Sequence, residues 1–106
     1  MVITSRKNDA VKRFRELLRE KSARDAQGVF AVEGDHLCGE LAKSGYGIIS
    51  VLTTERAEEK YPQTAALLRQ KCSDVTVISG DVAEYISDTK APQGLFAIAE
   101  KPVSPG

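Results

Sequence analysis

Long apolar runs are missing from this 106-residue chain. None approaches the ~20 residues that cross a bilayer. The opening Met1-Val2-Ile3-Thr4-Ser5-Arg6-Lys7 also lacks the apolar core of a secretory signal. No membrane partner is expected, and the expected compartment is the cytoplasm. Cysteine is scarce: Cys38 and Cys72 stand far apart with no CxxC spacing, which argues against a disulfide framework or a thiolate zinc site. His36, the single histidine, precedes Cys38 by two residues, yet two ligands fall short of a structural metal site. Both thiols are expected to be reduced and structural.

Catalytic signatures are missing too. After the first strand the chain reads Val32-Glu33-Gly34-Asp35-His36-Leu37, with neither GxGxxG nor GKS/T, so dinucleotide and P-loop readings lose their basis. No GxSxG elbow occurs, and His36 has no evident nucleophile to serve. Net charge is absent as well, because fifteen basic and fifteen acidic residues cancel. Their distribution is uneven. Residues 1–25 hold eight Lys/Arg against four Asp/Glu, and residues 26–106 hold seven against eleven. A neutral chain with a basic head can bind phosphate, since attraction depends on local potential. A solvated basic helix with no partner explains the same surplus.

What is present is enough for one domain and too little for two. Val11, Phe14, Leu17 and Leu18 recur at helical spacing over 9–21. Lys12, Arg15 and Arg19 share one flank of that stripe. Residues 22–27 read as a polar connector. The run Val29-Phe30-Ala31-Val32 predicts a strand buried on both faces. Asp35 is placed to cap a helix bearing Leu37, Cys38, Leu41 and Ala42, which Gly45 closes. A strand over 48–52 follows, then a helix opened by Pro62 and filled by Ala65, Ala66, Leu67 and Leu68. After a strand over 75–78, Ser79 caps a short helix with Val82, Ala83 and Ile86, and a loop over 87–94 enters a strand over 95–99. The expected fold is a small three-layer α/β/α sandwich, a largely parallel four-stranded sheet with an extra N-terminal helix.

Two segments look too particular for packing alone. In Arg24-x-x-x-Gly28-x-Phe30-x-Val32-Glu33-Gly34 a basic side chain enters the sheet layer, and a carboxylate and a glycine end the first strand. Ligands bind at that end of open α/β sheets. In Ser87-Asp88-Thr89-x-x-Pro92-Gln93-Gly94 local hydrogen bonding and a stiff proline shape the entry to the last strand. Turn construction accounts for both equally well. Glu33 and Asp35 read first as a backbone or arginine anchor and a helix cap, and only second as an acid–base pair.

In this order, and together with the Ile3-Thr4-Ser5-Arg6-Lys7-Asn8 opening and the basic first helix, these segments resemble the substrate-binding domain of the SpoU/TrmH-type RNA ribose 2′-O-methyltransferases. The resemblance implies a fold like that of small ribosomal and kink-turn-binding proteins, and rRNA or tRNA as partner. It further implies a separate C-terminal domain that binds S-adenosylmethionine and forms the homodimer. Residues 1–100 are then the RNA substrate-binding domain, and 101–106 a linker toward that missing methyltransferase domain. The 106-residue chain alone is expected to be monomeric, to hold no cofactor and not to be an enzyme, whereas the parent is a transferase. Arg6, Lys7, Lys12, Arg15, Arg19 and Arg24 are the candidate phosphate contacts, and Gln93 a candidate for a base or 2′-hydroxyl. Phe14, Phe30 and Phe96 fall at core positions, so recognition by shape and backbone is expected over stacking. Two other readings stay open: a free-standing ribosomal or kink-turn-type RNA binder, and a protein-interaction module whose basic helix docks an acidic partner.

Overall fold

Asn8 starts the first helix, its side-chain oxygen accepting the N–H groups of Ala10 (2.9 Å) and Val11 (3.3 Å). The structure, a computed structural model, describes residues 2–101. Five of the six residues of the expected linker lie outside them. Helix α1 (Asp9–Arg19) buries Val11, Phe14 and Leu17, the stripe read from the sequence. The expected connector is instead a helix, α2 (Lys21–Gln27). It offers no buried residue of its own, so periodicity cannot reveal it. Arg24 explains its position: the guanidinium bonds the carbonyls of Leu17 (2.8 Å) and Leu18 (3.3 Å), closing the end of α1.

The rest of the chain alternates strands and helices: β2 (Val29–Glu33), α3 (Asp35–Ser44), β3 (Ile48–Thr53), α4 (Glu55–Lys60), α5 (Pro62–Lys71), β4 (Val75–Ile78), α6 (Gly80–Ile86) and β5 (Leu95–Glu100). Gly45 closes α3 in the left-handed conformation, Pro62 occupies the first turn of α5, and Ser79 accepts the Val82 N–H. Each of these was legible. The cap of α3 was not: its N-cap is Gly34, which offers no side chain. Asp35 sits inside the first turn, accepting a hydrogen bond from the Thr64 hydroxyl. Helix α4 was also missed. Its sequence, ERAEEK, has Ala57 as its one buried residue, so it shows no stripe, although Thr54 caps it through the Ala57 N–H at 3.0 Å.

With β1 (Val2–Ile3) the sheet is five-stranded and mixed rather than four-stranded, in the order β1-β4-β3-β5-β2. The extra strand, β1, lies parallel to β4 at one edge. Two residues carry no period, so only their pairing defines them. β3 and β4 are parallel, whereas β5 is antiparallel to both its neighbours, β3 and β2. Helix α6 gives the reason. Seven residues span about 10 Å as a helix, while six-residue β5 spans about 20 Å. Both ends of α6 stay at one edge of the sheet. Ser79 N–H bonds Ile3 O (2.9 Å) at its start, and Ser87 bonds Glu33, the last residue of β2, at its end. A chain that has not crossed the sheet must enter its next strand from the side it is already on.

Helices cover both faces. Val11, Phe14 and Leu17 of α1 and Val82, Ala83 and Ile86 of α6 pack with Val29, Leu52, Ile78, Phe96 and Ile98. On the opposite face Cys38, Leu41 and Ala42 of α3, Ala57 of α4 and Leu68 of α5 pack with Val51, Leu95, Ala97 and Ala99. Strand β5 feeds the two layers alternately and is buried throughout Leu95–Ala99. This is the expected three-layer sandwich. No described helix is long and apolar enough to cross a membrane.

Gly94 turns the chain into β5 at φ 84, where a Cβ would collide with the Thr54 hydroxyl; Gly45 has the same φ but open space around it. Gly45→Ala is therefore expected to cost about 1–2 kcal/mol from the left-handed backbone alone. Gly94→Ala should cost measurably more. Urea denaturation of the two variants checks this, and equal losses would mean that the Thr54 contact yields freely.

Candidate nucleic-acid interface

Because β5 runs against the other strands, its entry loop shares an edge with the C-terminal ends of β1, β2, β3 and β4. The two segments singled out in the sequence meet there. Glu33 Oε2 accepts the Ser87 hydroxyl at 2.6 Å, and Oε1 accepts the Asp88 N–H at 3.1 Å. Ser87 Oγ also accepts the Thr89 N–H at 3.0 Å. Across the turn, Gln93 Oε1 accepts the Asp35 N–H at 2.6 Å, replacing the cap that Gly34 cannot supply. Gly34 N–H bonds Leu95 O at 2.8 Å. Glu33 thus anchors backbone, one of the two roles expected of it, and the acid–base reading has no geometric support.

The candidate phosphate contacts separate into two groups. Lys7 and Lys12 are exposed and form no ion pair among the described residues. The arginines are engaged. Arg6 pairs with Asp81 at 2.8 Å and lies 5.1 Å from the centre of the Tyr85 ring; that hydrogen bond, then the charge of Asp81, raises its pKa. Arg15 donates to Tyr85 O at 3.2 Å and lies 4.7 Å over the same ring. Arg19 donates to Ser87 O at 2.9 Å. Arg15 and Arg19 therefore satisfy carbonyls at the end of α6, which has no basic residue in its last turn. Arg24 neither enters the sheet layer nor braces Glu33, because it closes α1.

Sequence reasoning missed a different set of cations. Arg56, Lys60 and Lys90 line a groove of about 1020 Å³ between α4, α6 and the 90–94 segment. Arg56 and Lys60 stand one turn apart on the helix that carried no apolar stripe, so no pattern drew attention to them. A shallower hollow of about 430 Å³ adjoins it, lined by Glu33, Asp35, His36, Leu37 and Gln93. Both open on the strand-end edge. Among the described residues no three His, Cys, Asp or Glu side chains are grouped to hold a metal ion. Cys38 and Cys72 are buried and unpaired, and burial, reinforced by Asp35 and Glu33, pushes the Cys38 thiol up to about 12.

The described residues form a three-layer α/β domain with an open, partly basic strand-end edge. Residues 8–97 match the MRM3-like substrate binding domain, and the chain belongs to that family. It is 33% identical over 95 residues to an uncharacterized tRNA/rRNA methyltransferase of Synechocystis sp., covering 90% of this chain and 34% of that protein. The fold is similar to that of an rRNA methyltransferase from Sinorhizobium meliloti, with TM-score 0.76, 26% identity, and 98% of this chain on 38% of that one. A crystal structure of the AdoMet-bound rRNA methyltransferase from the same organism gives TM-score 0.76 at 27% identity, over 99% of this chain and 38% of that one. An RNA 2′-O ribose methyltransferase gives TM-score 0.73 at 27% identity, over 98% of this chain and 39% of its own. The chain thus spans little more than a third of these relatives.

The engaged arginines predict a split within the basic flank of α1. Arg15→Gln with Arg19→Gln should lower stability by about 1–3 kcal/mol, because carbonyls lose charged donors, while Lys12→Gln should stay within about 0.5 kcal/mol. Thermal denaturation decides, and equal effects would return all three to the solvated surface. Cys38 yields a second expectation. Its folded value lies above the ordinary 9.0, so its contribution to stability is complete below pH 9.0 and is lost as pH rises toward about 12. Alkylation at about pH 8 should be slow until urea unfolds the chain; rapid labelling of native Cys38 would contradict its burial.

Proposed function

We propose that this domain binds and orients the RNA substrate of a ribose 2′-O-methyltransferase, and that its strand-end edge is the binding surface. The observation that carries the reading is that edge. Four strands end there, β5 begins there, and a basic groove and the Gln93 hollow open side by side. Open α/β sheets bind ligands at such an edge. Lys7 and Lys12 are exposed, and Arg6 keeps a half-exposed guanidinium.

The parent enzyme on this reading transfers a methyl group from S-adenosylmethionine to a 2′-hydroxyl of rRNA or tRNA, and it dimerises through its other domain. The present chain is monomeric and supplies affinity and orientation, lowering the entropic barrier to presenting a large RNA. On this reading the methyl donor belongs to the other domain; in this chain Gln93 Oε1 stands over the β2–α3 turn, 3.1 Å from the position of a Cβ on Gly34.

Filter binding of the 106-residue chain to structured rRNA and tRNA fragments across a salt series tests the proposal. Binding should weaken with salt, each phosphate contact adding roughly 0.7–0.9 to the slope of log K against log salt. Calorimetry with S-adenosylmethionine should give no heat of binding. Failure to retain any RNA, or cofactor binding in the micromolar range, would overturn this assignment.

A further inference from the structure

The groove between α4 and α6 has a chemical character of its own. Its cations sit on the rim: Arg56 and Lys60 on α4, Lys90 on the facing loop. All three are exposed, and none has an ion-pair partner among the described residues. Two carboxylates, Glu55 and Glu84, also line it. Glu55 lies in the first turn of α4, where the helix dipole accommodates it, and Glu84 acts on the Arg6 charge. The lining between the cations includes apolar Ala57, Ala83 and Pro92. Tyr61, partly buried against the Cys38 and Leu68 core, also lines the groove, with the Lys60 ammonium 5.6 Å from its ring centre.

We propose that this groove holds a single-stranded stretch of RNA, with phosphates on Arg56, Lys60 and Lys90 and a base against Tyr61. The inference rests on the RNA-binding reading above and deepens it. Cations around a partly apolar concavity that includes an aromatic ring match how single strands are gripped, by a charged track and a stacking platform. An A-form duplex instead presents phosphates and 2′-hydroxyls across a broad, shallow surface and buries its bases. A volume of about 1020 Å³ stands at the top of the roughly 300–1,000 Å³ range of small-ligand pockets and leaves room for more than one nucleotide. The cations come from α4 and from the loop entering β5, so the site exists only because β3 and β5 are neighbours.

The test compares two triple variants of the 106-residue chain. Arg56→Gln/Lys60→Gln/Lys90→Gln strips the groove, and Arg13→Gln/Lys43→Gln/Lys71→Gln removes the same charge elsewhere. Fluorescence anisotropy is read with a labelled oligouridylate of roughly eight nucleotides and with an RNA duplex of about 16 base pairs. The groove variant should bind oligouridylate at least about tenfold more weakly, with a salt slope lower by roughly 2 units. The other variant should change binding by less than about threefold. Tyr61→Leu should weaken binding by about tenfold with the slope unchanged, as lost stacking requires. Photocrosslinking of unmodified protein to a 4-thiouridine oligonucleotide should map to residues 54–61 and 90–94, independently of how the variants fold. Equal losses in the two triple variants, crosslinks confined to other segments, or a duplex bound in preference to oligouridylate would overturn the groove assignment while leaving RNA binding intact. Absence of binding to oligouridylate, duplex and structured RNA alike would overturn the RNA reading itself.

Discussion

The direction of β5 is the constraint on which the strand-end edge depends. Helix α6 is too short to carry the chain back along the sheet, so the next strand enters from the edge where β4 ended. That brings residues 87–94 against the end of β2. Glu33 must then satisfy a hydroxyl and an N–H that water would otherwise have held. Ser87, 3% exposed, joins three elements. Its side chain meets Glu33 of β2, its carbonyl takes Arg19 of α1, and its backbone ends α6. A parallel β5 would have left this edge without the loop, and without one wall of each cavity.

Much of the fold was legible because burial leaves a period. Val11, Phe14 and Leu17 mark α1, and Val29-Phe30-Ala31-Val32 marks a strand covered on both faces. The elements that stayed hidden lack buried side chains of their own. Helix α2 buries none and α4 buries Ala57 alone, so their placement comes from caps and from partners distant in sequence. Strand polarity was illegible for a related reason. Alternating strands and helices suggest crossovers, but whether a connection traverses the sheet depends on how far its helix reaches, which local pattern does not record.

The site was legible in half. The two unusual segments were recognised, yet their mutual bonding was not, because Glu33 and Ser87 lie far apart in the chain. The basic flank of α1 shows what a helical pattern leaves out. A cation at a given helical position has the same pattern whether it faces phosphate or a carbonyl, and Arg15, Arg19 and Arg24 each found a carbonyl. Arg56, Lys60 and Lys90 escaped notice since only the pairing of β3 with β5 assembles them.

The Gln93 side chain has a consequence for what this corner of the surface can distinguish. Its amide oxygen is held by the Asp35 N–H, and that bond also fixes which way the amide group is turned. The atom left free is therefore the nitrogen, which can only donate. Acceptors suit it, whether a carbonyl oxygen, a ring nitrogen or a hydroxyl oxygen. Groups that only donate do not. A residue that would ordinarily be indifferent between donors and acceptors has been made one-sided by its work in closing a helix.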